Sequence, residues 1–323
     1  MSMTAFDAAL AQARDLLRWR SPLRTELWAA RLAGGLEPDE VEPFLRRLAQ
    51  GGGTEARLTL AALAAVHEAV ESGGGPYTSA GGGMAAALPG WVRRMGRVTC
   101  EGAWYGKADP YGEQVLAVLS FRYENGKEPH ILVVGIDQPN GGLAVDALVE
   151  EVKFLDDLGL REVDPRVVAG RILDAFELGD RIMGAVVADT LPAVRPVAIA
   201  RAGVVPGLVR GAADDTAAEF DELPDVPGAR EAFEKLVEFV GDRPLWWSPG
   251  RVSQFLTSWL PREAILTDAA IAAMPEVVRA WSRFLGGHAA VLRQVDDDAP
   301  RLPALMADDS LAGLGKRIAQ NRL

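Results

Sequence analysis

Cysteine is almost absent from this chain. Cys100 is the only one in 323 residues, which excludes an intrachain disulfide framework, and its neighbours Val98 and Thr99 place it as a packed thiol in a strand. Histidine is nearly as scarce: His67, His130 and His288 have no His, Cys, Asp or Glu partner at metal-ligand spacing. Lysine occurs only at 107, 127, 153, 235 and 316, and the net charge is -11. Nucleic-acid affinity won by releasing phosphate counterions is therefore not expected. No apolar run approaches the roughly 20 residues that span a bilayer. The first 17 residues carry Asp7 and Asp15 and lack the basic-then-apolar order of a secretory signal. These absences predict a soluble, cytoplasmic protein with no membrane contact. Phosphate-loop, dinucleotide and nucleophile-elbow motifs are also missing: no Gly-Lys-Ser/Thr follows a glycine run, and neither Gly-x-Gly-x-x-Gly nor Gly-x-Ser-x-Gly occurs.

The residues that are present read first as helix. Phe6, Ala9, Leu10, Ala13, Leu16 and Leu17 share one face over Thr4–Arg18 at three- and four-residue spacing. Ser21-Pro22, a cap followed by proline, opens a second helix ending at Gly34-Gly35. Pro38–Ala49 and Thr54–Glu71 supply a third and a fourth. Glycine triplets at 51–53, 73–75 and 81–83 divide these helices from the central part of the chain, the latter two flanking a connection at 76–80.

Near Val98 the period changes. Val98–Tyr105, Gln114–Tyr123 and His130–Gln138 read as three antiparallel strands, the last two joined at Asn125-Gly126, where the favoured hairpin turn needs positive φ. Both faces of the second strand are apolar, so it is expected to be central and covered on both sides. A fourth strand is expected near Leu160–Val163, followed by a helix from Asp164-Pro165 to Phe176. Residues 182–212, broken by Pro192, Pro196 and Pro206, are ambiguous. Acid is concentrated between Asp214 and Glu238, read as a solvated linker running into a helix over Ala229–Val240. Further helices are expected from Ser248-Pro249 to a stop at Pro261, from Pro275 to Leu285, and from Ser310 to Asn321.

The fold class is accordingly α+β: a helical region at 1–95, a central domain with the β-meander at 96–212, an acidic linker at 213–227, and a helical region at 228–323.

The best-placed polar residues are acidic. Asp109 and Glu113 bracket the entry to the second strand, Asp137 ends the third, and Asn140 and Asp146 come after it. If the strand ends converge, these hard oxygen ligands would suit a divalent cation such as Mg²⁺ or Ca²⁺, or supply a general acid and base. The competing explanation is local: Asp and Asn beside Gly and Pro bond their own backbone in turns, and Asp146 would charge a helix start. Asn140-Gly141-Gly142 leading into that helix would also form a backbone anion site. His130 and Asp137 lie at opposite ends of one strand, about 23 Å apart at strand rise, and cannot share a site. The C-terminal helices are joined by too long a connection for a helix-turn-helix. Their Trp246, Trp247, Trp259 and Trp281 are read as anchors of a core or of a subunit interface.

Leu88-Pro89-Gly90-Trp91, Asp109-Pro110-Tyr111-Gly112-Glu113, the strand His130–Asp137 with Asn140-Gly141-Gly142 and Asp146-Ala147, Ser248-Pro249, and Trp259-Leu260-Pro261-Arg262 together resemble a family of uncharacterised actinobacterial proteins. The resemblance covers much of the chain and implies no known activity. Gln138-Pro139 stands where that pattern has histidine, and Val145 where it has lysine, so chemistry needing those groups is not expected here. The expected function is a noncatalytic protein–protein interaction or assembly role, with a protein partner or self-association. The alternative is a metal-dependent hydrolase or nuclease using Asp109, Glu113 and Asp137. A small-molecule site beside Asn140 is a third reading.

Overall fold

The computed structural model describes residues 5–67 and 88–320. The glycine triplets at 73–75 and 81–83, the connection between them, and the expected ends of the fourth and last helices at Glu71 and Asn321 lie outside the described residues. The chain divides into two compact units, Met1–Gly106 with Leu116–Ala212, and Lys107–Val115 with Ala213–Leu323.

The first unit opens with four helices: α1 (Ala5–Trp19), α2 (Pro22–Gly34), α3 (Pro38–Gly51) and α4 (Thr54–His67). Ser21 caps α2 by accepting from the Arg24 amide at 3.1 Å, with Pro22 at the first helical position. The expected apolar stripe of α1 is the surface that packs: Ala9, Ala13 and Leu16 meet Ala29, Ala30, Leu58, Leu63 and Val66 in one core.

The sheet is antiparallel and five-stranded, in the order β4-β3-β2-β1-β5, with β1 at Val98–Lys107, β2 at Gln114–Tyr123, β3 at His130–Asp137, β4 at Leu143–Glu150 and β5 at Arg161–Glu162. In keeping with the two-sided apolar pattern, β2 and β3 are buried on both faces. Val118, Ile131 and Val133 pack with Trp104, Leu148, Leu158 and Leu160. On the other face lie the helices α5 (Pro165–Arg181) and α6 (Thr190–Gly203), which pack on β4.

One expectation is overturned here. Asn140-Gly141-Gly142 leads into a strand, not a helix. Gly141 and Gly142 both have φ of 91°, a conformation that closes a hairpin and only glycine adopts easily. Leu143, Ala144, Val145 and Ala147 then find a buried sheet edge to fill. Asp146 pairs with Gly135 in mid-strand, so it starts no helix. A bulge at Val145 shifts the register, and the Val145 carbonyl accepts from the Ala188 amide at 2.8 Å. The ambiguous stretch is helical in its middle despite two of its prolines: Pro192 and Pro196 lie within α6, and Pro206 lies beyond its end.

The second unit is helical: α7 (Ala229–Val240), α8 (Pro249–Gln254), a π-helical stretch Phe255–Trp259 that continues into α9 (Leu260–Glu263), α10 (Asp268–Phe284), α11 (Ala289–Asp298), α12 (Leu302–Met306) and α13 (Leu314–Gln320). Two prolines depart from expectation. Pro261 does not stop the helix: it sits at the start of α9, directly after a π turn in which the Leu260 amide bonds the Phe255 carbonyl. Pro275 does not open one. It sits inside α10, whose cap is Thr267 accepting from the Ala270 amide at 3.2 Å, and burial of Met274, Val277, Val278 and Trp281 outweighs the one hydrogen bond lost. The acidic stretch is no free linker: Phe220 packs 5.6 Å from Trp281 and 5.4 Å from Phe284, and Thr216 is buried.

Candidate functional site

The polar residues expected at the strand ends divide between the units. Asp109 and Glu113 belong to the second, and Asp137, Asn140 and Asp146 to the first. Both oxygens of Asp109 are committed to its own turn, accepting from the amides of Tyr111 at 2.8 Å and Gln114 at 2.6 Å. That turn is anchored where the Tyr111 carbonyl accepts from the Trp247 amide at 2.8 Å. Glu113 faces solvent. Asp137 accepts from Asn140 Nδ2 at 2.7 Å and its carbonyl from the Gly142 amide at 2.8 Å, which closes the β3–β4 hairpin. Asp146 accepts from the Thr190 hydroxyl and so ties β4 to the start of α6. Among the described residues no group of three His, Cys, Asp or Glu side chains is placed to hold a metal ion. Asp109, Asp137 and Asn140 do what Asp and Asn do in turns.

The tryptophans also find partners inside their own unit. Trp247 and Trp281 are buried in its aromatic core, and Trp247 Nε1 donates to Ser282 Oγ at 2.9 Å. Trp259 is half-buried, 5.5 Å from Phe239 and 5.9 Å from Phe255, and Trp246 lies under the Arg251 guanidinium at 4.2 Å. Trp247, just before α8, Trp259 on the π-helical stretch and Trp281 on α10 belong to one aromatic core, the first of the two roles expected for them.

Two features escape the sequence. The first is a sealed polar cluster joining α2, the end of β2, the start of β3 and α6. Glu26, Tyr123, His130 and Arg201 are each no more than 2% exposed. Glu26 accepts from the Gly96 amide at 2.6 Å, from Tyr123 Oη at 2.8 Å, and from Arg201 Nη2. Arg201 Nη2 also donates to Tyr123 Oη at 3.0 Å, and its Nε to His130 Nε2 at 3.1 Å. His130 Nδ1 lies 2.8 Å from the Glu128 carbonyl, so the ring is neutral, with its proton on Nδ1 and its Nε2 lone pair facing Arg201. Burial, then the neighbouring guanidinium, lower the His130 pKa to about 4. Burial and Glu26 raise that of Tyr123. Burial works against the Arg201 charge, but Glu26 and Tyr123 beside it raise its pKa overall. Glu26, Tyr123, His130 and Arg201 bond one another and are shielded from solvent. The cluster clamps helices to the sheet; it has no room to receive a substrate. The only sequence signal is one acid and one base on otherwise small, apolar helical faces: Glu26 near Ala29 and Ala30, Arg201 between Ala200 and Ala202.

The second is an open groove of about 440 Å³ along the α1–α2 hairpin. α1 contributes Gln12, Asp15, Leu16 and Trp19 at helical spacing, and α2 contributes Trp28, Arg31 and Leu32. Trp28 Nε1 donates across the groove to Gln12 Oε1 at 2.6 Å. Trp19 is 61% exposed, with the Arg24 guanidinium 4.5 Å from its ring centre. Leu16 faces inward from α1 because Arg20, at φ 56°, and Ser21 fold α2 back directly after Trp19. A second apolar surface is the segment between α5 and α6, where Met183 is 98% and Val186 91% exposed. No helix among the described residues is long and apolar enough to cross a membrane. No protein-family model, curated protein or solved structure matches this chain.

Proposed function

We propose that this chain is a noncatalytic protein-interaction or assembly protein whose contact surface is the α1–α2 groove. The observation that carries this reading is Trp19: a large aromatic ring left mostly in solvent at the mouth of a groove floored by Leu16 and Leu32. Aromatic and arginine side chains at such positions dominate binding energy at protein interfaces.

A photo-reactive amino acid at Asp15, on the groove wall, tests this reading in the native cell. The expected result is a discrete adduct with a second polypeptide that disappears when Trp19→Ala is added. No adduct, or one indifferent to Trp19→Ala, refutes it.

A further inference from the structure

The α1–α2 hairpin that walls the groove carries a charge opposite to that of the chain. The protein has 45 acidic and 34 basic residues. Yet between Ala5 and Gly34 stand Arg14, Arg18, Arg20, Arg24 and Arg31 against Asp7, Asp15 and Glu26, and Glu26 is sealed in the buried cluster. Arg14 is paired with Glu55 at 3.0 Å and Arg18 with Asp15 at 3.6 Å. Arg20, Arg24 and Arg31 are exposed and make no ion pair among the described residues.

Resting on the interaction reading above, we propose that the groove docks an acidic amphipathic helix of a separate polypeptide. Apolar side chains of that helix seat against Trp19, Trp28, Leu16 and Leu32, and its carboxylates meet Arg20, Arg24 and Arg31. The groove walls are residues at i, i+3, i+4 and i+7 of one helix and i, i+3 and i+4 of the next, the valley into which the ridge of a third helix fits. Guanidinium groups supply the bidentate partners that carboxylates take best. A nucleic acid is disfavoured: Arg24 already occupies a face of Trp19 on which a base would stack, and the floor is aliphatic. A second copy of this chain is disfavoured as well. Its own acidic helix, α7, turns Ala232, Leu236, Phe239 and Val240 into the core of the second unit and has no apolar stripe to offer.

The test uses the full chain and two fluorescein-labelled designed helical peptides with the same Leu/Phe stripe, one with Glu and one with Lys on the polar face, monitored by fluorescence anisotropy. The Glu peptide is expected to bind saturably and at least about tenfold more tightly than the Lys peptide. The double reversal Arg24→Glu/Arg31→Glu inverts that preference, and Trp19→Ala weakens the Glu peptide about tenfold, all with unchanged thermal unfolding. Equal binding of the two peptides overturns the proposal. So does Glu-peptide affinity unaffected by the reversal, single-stranded DNA competing for the groove, or a dimer that becomes monomeric with Trp19→Ala. If the Glu peptide fails while the Asp15 photo-adduct persists, the acidic helix is wrong and the interaction role stands; if both fail, both readings fall.

Discussion

Acid should loosen the first unit through one residue, His130. Its folded pKa is about 4 against an ordinary value of 6.5, so the unfolded chain takes up the proton first as pH falls. The group therefore leaves stability intact above pH 6.5 and removes it progressively between 6.5 and 4, with no further loss below. At about 1.4 kcal/mol per unit of pKa, a shift of this size amounts to about 3 kcal/mol, a large part of the stability of an ordinary domain. The structural cause is specific: a proton on Nε2 would abolish the bond accepted from Arg201 at 3.1 Å and set two cations face to face in a site closed to water. Carboxylates elsewhere also titrate in acid, so the useful quantity is the difference between the wild type and His130→Gln, which does not titrate. Amide hydrogen exchange of β3 and of β2 from Leu116 onward reports the first unit. The wild-type minus variant opening free energy should fall by about 3 kcal/mol between about pH 7 and about pH 4. Parallel profiles across that range would refute the neutral, buried imidazole.

The same contacts set three further outcomes. Arg201→Met alone should cost about 3–5 kcal/mol by stranding the Glu26 carboxylate, whereas Glu26→Leu with Arg201→Met should recover much of that in thermal unfolding; a neutral single variant would show the pair is not sealed. Gly112→Ala should open the second unit to limited proteolysis, since the added Cβ would lie 2.2 Å from the Leu245 carbonyl at φ +65°, while Gly126→Ala, with nothing nearer than Arg122 Cδ at 4.0 Å, should cost only about 1 kcal/mol. Trp281→Ala should cost about 3–5 kcal/mol in urea unfolding and Trp19→Ala less than about 0.5, and equal costs would contradict their opposite burial.

The repeating pattern of side chains is enough to locate α1 to α4, the β2–β3 hairpin and α7, because each buries a stripe whose period is a local property of the chain. Asn125-Gly126 and Ser21-Pro22 mark their turn and cap for the same reason: the relevant hydrogen bonds and dihedrals span only a few residues. The strand at Leu143–Glu150 is not legible because Leu-Ala-Val-Asp-Ala-Leu fits either period, and the open edge of β3 decides between them. Pro261 and Pro275 mislead because a proline's local cost is fixed while the burial that offsets it comes from other helices.

The sequence by itself determines an α+β fold, the order of most of its elements and the turn chemistry of Asp109 and Asp137. Tertiary structure alone decides which charges are buried and which aromatic rings are left outside. Glu26 and Arg201, 175 residues apart, form an ion pair because α2 and α6 pack together. Trp281 vanishes into a core while Trp19 remains in water, although both sit on amphipathic helices. Burial and ion pairing are properties of surfaces brought together from distant parts of the chain, and no local pattern encodes which surface a helix will meet.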